Sequence, residues 1–413
     1  MTLNQTVHAD LPAYPMARGC PFDPPAELTR LRSTAPLSRV SLWDGSTPWL
    51  VTRHDEVRAV LADPRFSAET DRPGYPAVSA AQLVRRSTAP SFISMDDPGH
   101  ARQRRMLIGE FTVRHTNGLR PMVEQIVDEA LEVMAERLGS SGGPVDLVET
   151  FALPVPSMVI CRMLGVPYSD HDYFQAHSAA LLNTGTPPQD ARTRTEELRD
   201  YLADLVARRE AEPADDLLGR LATRHVATGE LTRDEAASMA LLLLVAGHET
   251  TANMIGLGML TLLRDPEQAA QVRDGSPKVV GRAVEELLRL LTVTHSGRRR
   301  VALEDVRIGA GDDGVTVRAG EGVILAADVA NRDPRRFGKP DVLDIHRAGN
   351  QHVAFGYGPH QCLGAPLARL ELRIAYPALL RRFPGLRVAA PLAEIRFRDE
   401  MVVYGVHVLP VTW

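Results

Sequence analysis

Cysteine is scarce. Cys20, Cys161 and Cys362 are the whole supply in 413 residues. They are odd in number and far apart, which excludes a disulfide framework and leaves any special cysteine free or acting as a ligand. An excess of charge of one sign is also missing. The chain has 47 Lys and Arg against 52 Asp and Glu, for a net charge of -5, so no basic field marks a nucleic-acid partner. Long hydrophobic runs are missing as well. LLLLVAG, at 241–247, falls well short of the roughly 20 residues that a membrane span needs. The opening MTLNQTVHADLPAYPMARGCPFDPP contains no apolar signal core. These absences lead to the expectation of a soluble cytoplasmic protein. What is present is ordinary for a globular chain, with 44% hydrophobic and 24% charged residues.

The length suits two or three average domains, yet no repeat and no long polar linker divides the chain, and one domain over 1–413 is expected. Residues 37–53 alternate around Asp44-Gly45 and read as an antiparallel hairpin. A short helix follows and stops at Pro64, and the turn-rich 67–95 reads as a loop. Helical spacing covers 114–138, 151–167, 192–211 and 215–224, with Cys161 on an apolar face as a small buried hydrophobe. Thr232 and Glu235 form a capping-box pattern ahead of a helix running to about Arg264. At about 1.5 Å per residue that helix crosses the whole molecule. A further helix is read over 279–291, short strands at 300–308, 315–318 and 322–327, and a closing helix at 365–382. Short strands end the chain. The expected class is mainly α with smaller β-rich regions near both ends.

The chemistry concentrates in FGYGPHQCLG, 355–364. Gly356, Gly358 and Gly364 allow tight turning and close approach to a ligand. Cys362 precedes a helix whose first turn holds Pro366, so a thiolate there meets the positive end of the helix dipole. Three uses compete. A Cys–His nucleophile needs His360 to face the thiol, and a zinc site needs more ligands than the region offers. A single thiolate on a metal already held by four other atoms, as in haem, fits best.

FGYGPHQCLG resembles the haem-binding loop of the cytochrome P-450 superfamily, with Phe355, Gly358, His360, Cys362 and Gly364 at its fixed positions. The resemblance implies the P-450 fold, a helical bundle around haem b with a long central helix, and Cys362 as the iron ligand, with Phe355 and Gly356 beside the haem. Three further motifs agree with it. AGHETT, 246–251, puts small residues, an acid and a hydroxyl into an apolar helix. Ala246 and Gly247 let a flat ligand lie close. By resemblance Thr250 and Glu249 are the alcohol and acid of the oxygen-activating segment, delivering protons. EELLR sets Glu286 and Arg289 at i,i+3, a match to the family's structural ExxR pair, with 330–344 as the segment it grips. MDDPGHARQRR sets His100 and Arg104 one helical turn apart. In bacterial members this pair holds the haem propionates together with residues matched here by Arg300 and His360. In the plainer reading of the RRR run, Arg298 and Arg299 are solvated while one arginine of the three turns inward, the register of the match to Arg300 being open by one residue.

The finer likeness, carried by ALPVPSMVICRMLGVPY, LLLVAGHETTANM, RAGEGVI and LARLEL, is to soluble bacterial members that hydroxylate macrolides, polyenes, sterols and xenobiotics. It implies a monooxygenase acting on a large, mostly apolar molecule such as a macrolide, with a xenobiotic or sterol hydroxylase as the alternative. A nitric oxide reductase or a non-enzymatic haem sensor is the more distant one. With no fused reductase, electrons come from a separate ferredoxin and ferredoxin reductase, docking near Arg102, Arg105 and Arg373. A monomer is expected. By family position Ile93, Leu242, Val245, Ala246 and Thr294 line the substrate pocket. Arg72, Arg85 and Arg86 are solvated in the plainer reading or face a substrate carboxylate or sugar.

Overall fold

A computed structural model of the chain describes residues 11–311 and 314–413, with the side chains of 85–87 and 140–141 left aside. Its longest element is the helix Arg233–Leu263, 31 residues. It begins at the expected capping box: Thr232 Oγ1 accepts from the Glu235 N–H at 3.1 Å, and the Glu235 carboxylate accepts from the Thr232 N–H at 2.9 Å. It ends before Pro266, whose ring cannot continue a helix. Being apolar nearly all round, the helix has to be buried. It is the one described helix long and apolar enough to cross a membrane, although its sequence holds no unbroken run, and 72% of its most apolar stretch is buried inside the protein. Helices Pro154–Leu164, Pro188–Ala211, Pro277–Leu291 and Ala365–Arg382 pack around it. Their inward faces form the main core, where Cys161 is 1% exposed and burial pushes its thiol up to about 12.

The β-rich pieces from the two ends of the chain meet in one sheet. Its order is Leu37–Arg39, Trp49–Val51, Gly322–Leu325, Arg298–Ala302 and Phe66–Ser67. Trp49–Val51 runs parallel to Gly322–Leu325 with Leu50 opposite Ile324; the other pairs are antiparallel. The sheet covers a second core of Val51, Val57, Val323 and Leu325. Arg387–Val388 and Pro410–Thr412 are the expected late strands, joined by Val145–Asp146.

Several boundaries differ from expectation. The segment 67–95 is not all loop: Ala80–Thr88 is a helix packed on Pro188–Ala211. Its start has a readable signal, since Ser79 Oγ accepts from the Gln82 N–H at 3.3 Å in an S-x-x-Q pattern. The 114–138 helix is two, Val113–Gly118 and Arg120–Ser141, broken where Pro121 opens a new first turn. Two unexpected helices, His171–Leu182 and Pro266–Asp274, fill stretches between longer ones, the second capped by Asp265 accepting from the Gln268 N–H.

Candidate active site

The cysteine loop is shaped by three backbone hydrogen bonds. The Gly356 N–H donates to Val353 O at 2.9 Å, the Gln361 N–H to Gly358 O at 3.0 Å, and the Cys362 N–H to Phe355 O at 2.8 Å. Gly356 and Gly358 both adopt left-handed backbone, φ 75° and 73°. Glycine is required at Gly358 on a second count, because a Cβ would lie 2.5 Å from Leu61 O. The loop thus seats against helix His54–Ala62 and lifts Cys362 to the N-terminus of Ala365–Arg382. Burial pushes the Cys362 thiol up, and the Arg298 charge and the Gly364 N–H pull it back. The same surroundings would favour the thiolate once a metal ion neutralised it.

Above Cys362 opens a cavity enclosing about 910 Å³ of non-atom space, part of it continuous with solvent. Its roof is one stripe of the long helix: Leu243, Ala246, Gly247, Thr250, Thr251 and Met254. Three- and four-residue steps put these on one face. Leu242 and Val245, expected on the wall, lie one step off the stripe and pack into the core instead. Thr294, Phe355 and Ala246 do line the cavity, whereas Ile93 is 46% exposed and off its wall. Gly247 answers packing as well as ligand approach, since a Cβ there would come 3.1 Å from the Ile160 side chain.

Thr250 faces the cavity, with its hydroxyl donating to Ala246 O at 2.8 Å. Glu249 does not. It is 3% exposed and turned away, its carboxylate accepting from Arg398 Nη1 at 3.1 Å and Asn253 Nδ2 at 3.4 Å, with His248 Nε2 at 3.6 Å. Burial raises this carboxyl, but His248 and Arg398 outweigh it and hold it below the usual range. Arg398, on the turn after Phe397, is a partner that the sequence motif did not contain.

His100, Arg104, Arg300 and His360, up to 260 residues apart in sequence, form one cationic corner. The His100 and His360 rings stand 4.1 Å apart, and Arg104 Nη2 donates to Gln361 O at 2.7 Å. Burial, Arg300, His100 and Arg104 together push His360 down to about 3. Asp97 takes His100 Nδ1 at 3.0 Å, which leaves Nε2 buried without a partner. An excess of donors, His100 and Arg300 buried and Arg104 and His360 partly so, around an orphaned ring nitrogen fits a ligand that carries carboxylates.

The remaining arginines correct the expectations. Arg299 and Arg300 are 6% and 7% exposed, and Arg298 is partly buried on the cavity wall, so more than one of the three turns inward. Arg72 is held by Glu69 at 2.6 Å, and the side chains of Arg85 and Arg86 lie outside the described residues. Arg102 donates to Glu230 O at 2.7 Å and pairs with the Glu235 carboxylate, Arg373 lies 3.6 Å from Glu285, and Arg105 is exposed. Glu371, also unforeseen, faces the cavity beside Leu367 and Ala368 with Oε2 unpartnered. Beneath the site, Glu286 and Arg289 are fully buried and joined by two 2.8 Å hydrogen bonds. Arg289 also donates to Asn331 O and Pro340 O, while Glu286 accepts from Arg347, Asn350 and the Asp344 N–H. Every charge in this cluster is satisfied, which burial demands.

The family model of cytochrome P450 matches residues 30–386. Cytochrome P450-SU2 of Streptomyces griseolus is 49% identical over 414 residues, covering 100% of both chains. Pentalenic acid synthase of Streptomyces avermitilis is 47% identical, covering 97% of each. Among solved structures, the mycinamicin VIII C21 methyl hydroxylase MycCI of Micromonospora griseorubida, bound to mycinamicin VIII, superposes with a TM-score of 0.90. That pair is 40% identical and covers 98% of this chain and 100% of that one. A cysteine loop under a helical roof, a cationic corner and these matches together establish that this chain belongs to the cytochrome P450 family, monooxygenases whose cofactor is haem iron.

Proposed function

We propose that the protein is a single-domain haem-thiolate monooxygenase that oxidises a large, mostly apolar secondary metabolite of the macrolide or related polyketide kind. In this reading it works in the cytoplasm as a monomer, with a ferredoxin and its reductase as separate electron donors. The observation that carries the reading is that Cys362 and Thr250 line one cavity, while the four-donor corner comes within reach of Cys362 through Arg104. Cys362 would be the iron ligand, and His100, Arg104, Arg300 and His360 would hold the two propionates. The residues fit the group: the corner offers cationic donors in excess of its own carboxylates, and the roof is apolar and small at Ala246.

When bound, thiolate-ligated haem iron activates dioxygen for insertion of one oxygen atom into substrate. The chain's own residues do the rest. Leu243, Phe111, Ile160 and Val293 present an apolar wall that excludes water and holds an apolar substrate, and Thr294 supplies a polar handle. Thr250 offers its oxygen lone pairs to the cavity while its proton is engaged by Ala246 O. Glu249 takes protons on its His248 and Arg398 side and delivers them by turning toward Thr250. Glu286 and Arg289 hold the loop 331–350 in place and take no part in proton transfer. The likeness to a methyl hydroxylase solved with mycinamicin VIII supports the substrate class. The intact Glu249-Thr250 pair favours monooxygenation over nitric oxide reduction or gas sensing.

The test is the spectrum of the reduced protein under carbon monoxide. Thiolate ligation shifts the Soret band strongly to the red in the wild type, and Cys362→Ala loses that band. A wild type without it sinks the proposal. A spin-state screen over macrolides, polyenes, sterols and drugs then ranks substrates, and a response to sterols alone would displace the polyketide reading.

A further inference from the structure

Arg298 is a cation on the cavity wall without a carboxylate beside it. It starts the strand Arg298–Ala302, and alternation along the strand turns Arg298 and Arg300 to one face. Its guanidinium reaches only neutral acceptors: Nη2 donates to Ala354 O at 2.9 Å, and Nη1 to Thr294 Oγ1 at 3.5 Å. Among the described residues no Asp or Glu oxygen pairs with it within 4.0 Å. The fold makes room for this side chain. A Cβ on Gly356 would sit 2.7 Å from Arg298 Nε, so the loop keeps a residue without a side chain where the guanidinium lies.

Arg298 is partly buried, and apart from the Cys362 sulfur that its charge acts on it has no anionic partner among the described residues, so an anion entering the cavity is favoured beside it. The planar fork of arginine matches a carboxylate, and the neighbouring Thr294 hydroxyl adds a hydrogen-bonding group on the same wall. The four-donor corner already supplies His100, Arg104, Arg300 and His360 for the haem carboxylates, which leaves Arg298 for another. We propose that Arg298, with Thr294, forms a carboxylate-binding subsite of the cavity and takes the carboxylate of an acidic substrate. The proposal rests on reading the cavity as a haem and substrate site. A haem propionate offers the same chemistry, and the experiment separates the two sources.

The experiment uses the haem-loaded wild type with Arg298→Gln and Arg298→Lys. Optical titration with dodecanoic acid and with its methyl ester reads recognition of a substrate carboxylate. Haem transfer to apomyoglobin reads the hold on the propionates. The wild type is expected to bind the acid roughly tenfold tighter than the ester, the worth of one good charged contact. Arg298→Gln removes that preference, Arg298→Lys keeps part of it, and haem transfer stays at the wild-type rate. Haem loss several-fold faster in Arg298→Gln, with the acid preference intact, overturns the substrate assignment and gives the subsite to a propionate. Equal affinity for acid and ester, or no response to either, together with unchanged haem loss in both variants, overturns the subsite altogether. Where Arg298→Gln does not fold, Arg298→Lys carries the same two readings, because it keeps the charge and loses the fork. A wild type lacking the red-shifted carbon monoxide band fails the haem-thiolate reading itself, whatever Arg298 does.

Discussion

Cys362 and Glu371 are two acids in one cavity, and burial acts on both in the same direction. Cys362 has opposing neighbours, the Arg298 charge and the Gly364 N–H. Glu371 has none, so burial alone pushes it from 4.5 up to about 8. The folded state therefore holds this proton more tightly than the unfolded chain. Its contribution to stability is complete below about pH 4.5 and drains away as pH rises to about 8. Glu371→Gln removes the titration. The variant should gain on the wild type across that window, by on the order of 4 kcal/mol at its upper end, in urea unfolding at pH 5 and pH 8. A gap between variant and wild type that does not change with pH would show that Glu371 is ionised in the folded protein. Glu371 is legible in the sequence only as part of LARLEL; its burial without a partner is a tertiary fact.

At the scale of elements, the helix Pro277–Leu291 carries the cluster on which the cysteine loop depends. Glu286 is the one carboxylate that both Arg289 and Arg347 share there. Glu286→Ala would strand two buried guanidinium groups, at a cost of about 3–5 kcal/mol. The expected outcome is a large drop in thermal midpoint and in haem-loaded yield, read by circular dichroism and absorbance. A variant that melts with the wild type would mean the pair is not needed. The ExxR spacing and the 330–344 segment were readable in advance. Arg347 and Asn350, which complete the cluster, lie just beyond that segment, and nothing in local spacing points to them.

At the scale of the whole molecule, the chain carries a net charge of -5, yet the helix Gly99–Leu107, tied to the cysteine loop by Arg104, carries Arg102 and the exposed Arg105. Arg102 is committed to Glu235 and Glu230, and Arg373 lies beside Glu285, which leaves Arg105 the freest for a ferredoxin. Reduction by an acidic ferredoxin should slow as salt rises through about 0.1 M, where the Debye length falls to about 10 Å. Arg105→Glu should lower the rate several-fold at low salt and leave the carbon monoxide spectrum unchanged. Rates insensitive both to salt and to this charge reversal would place docking elsewhere.

The sequence by itself determined the long capped helix and the place of the cysteine loop before its closing helix, which rest on a cap and on residues close in the chain. The ExxR pair and the four members of the corner, scattered over 260 residues, were named only through the family resemblance. Only the tertiary structure decided that Glu249 faces Arg398 and not the cavity, that Leu243 and not Leu242 roofs it, and that Arg298 turns inward. The reason is physical. Periodicity narrows a side chain's direction to within a residue or so, while its partners come from segments that lie 56 residues away for Arg298 and 149 for Glu249, and burial is settled only once those segments have packed.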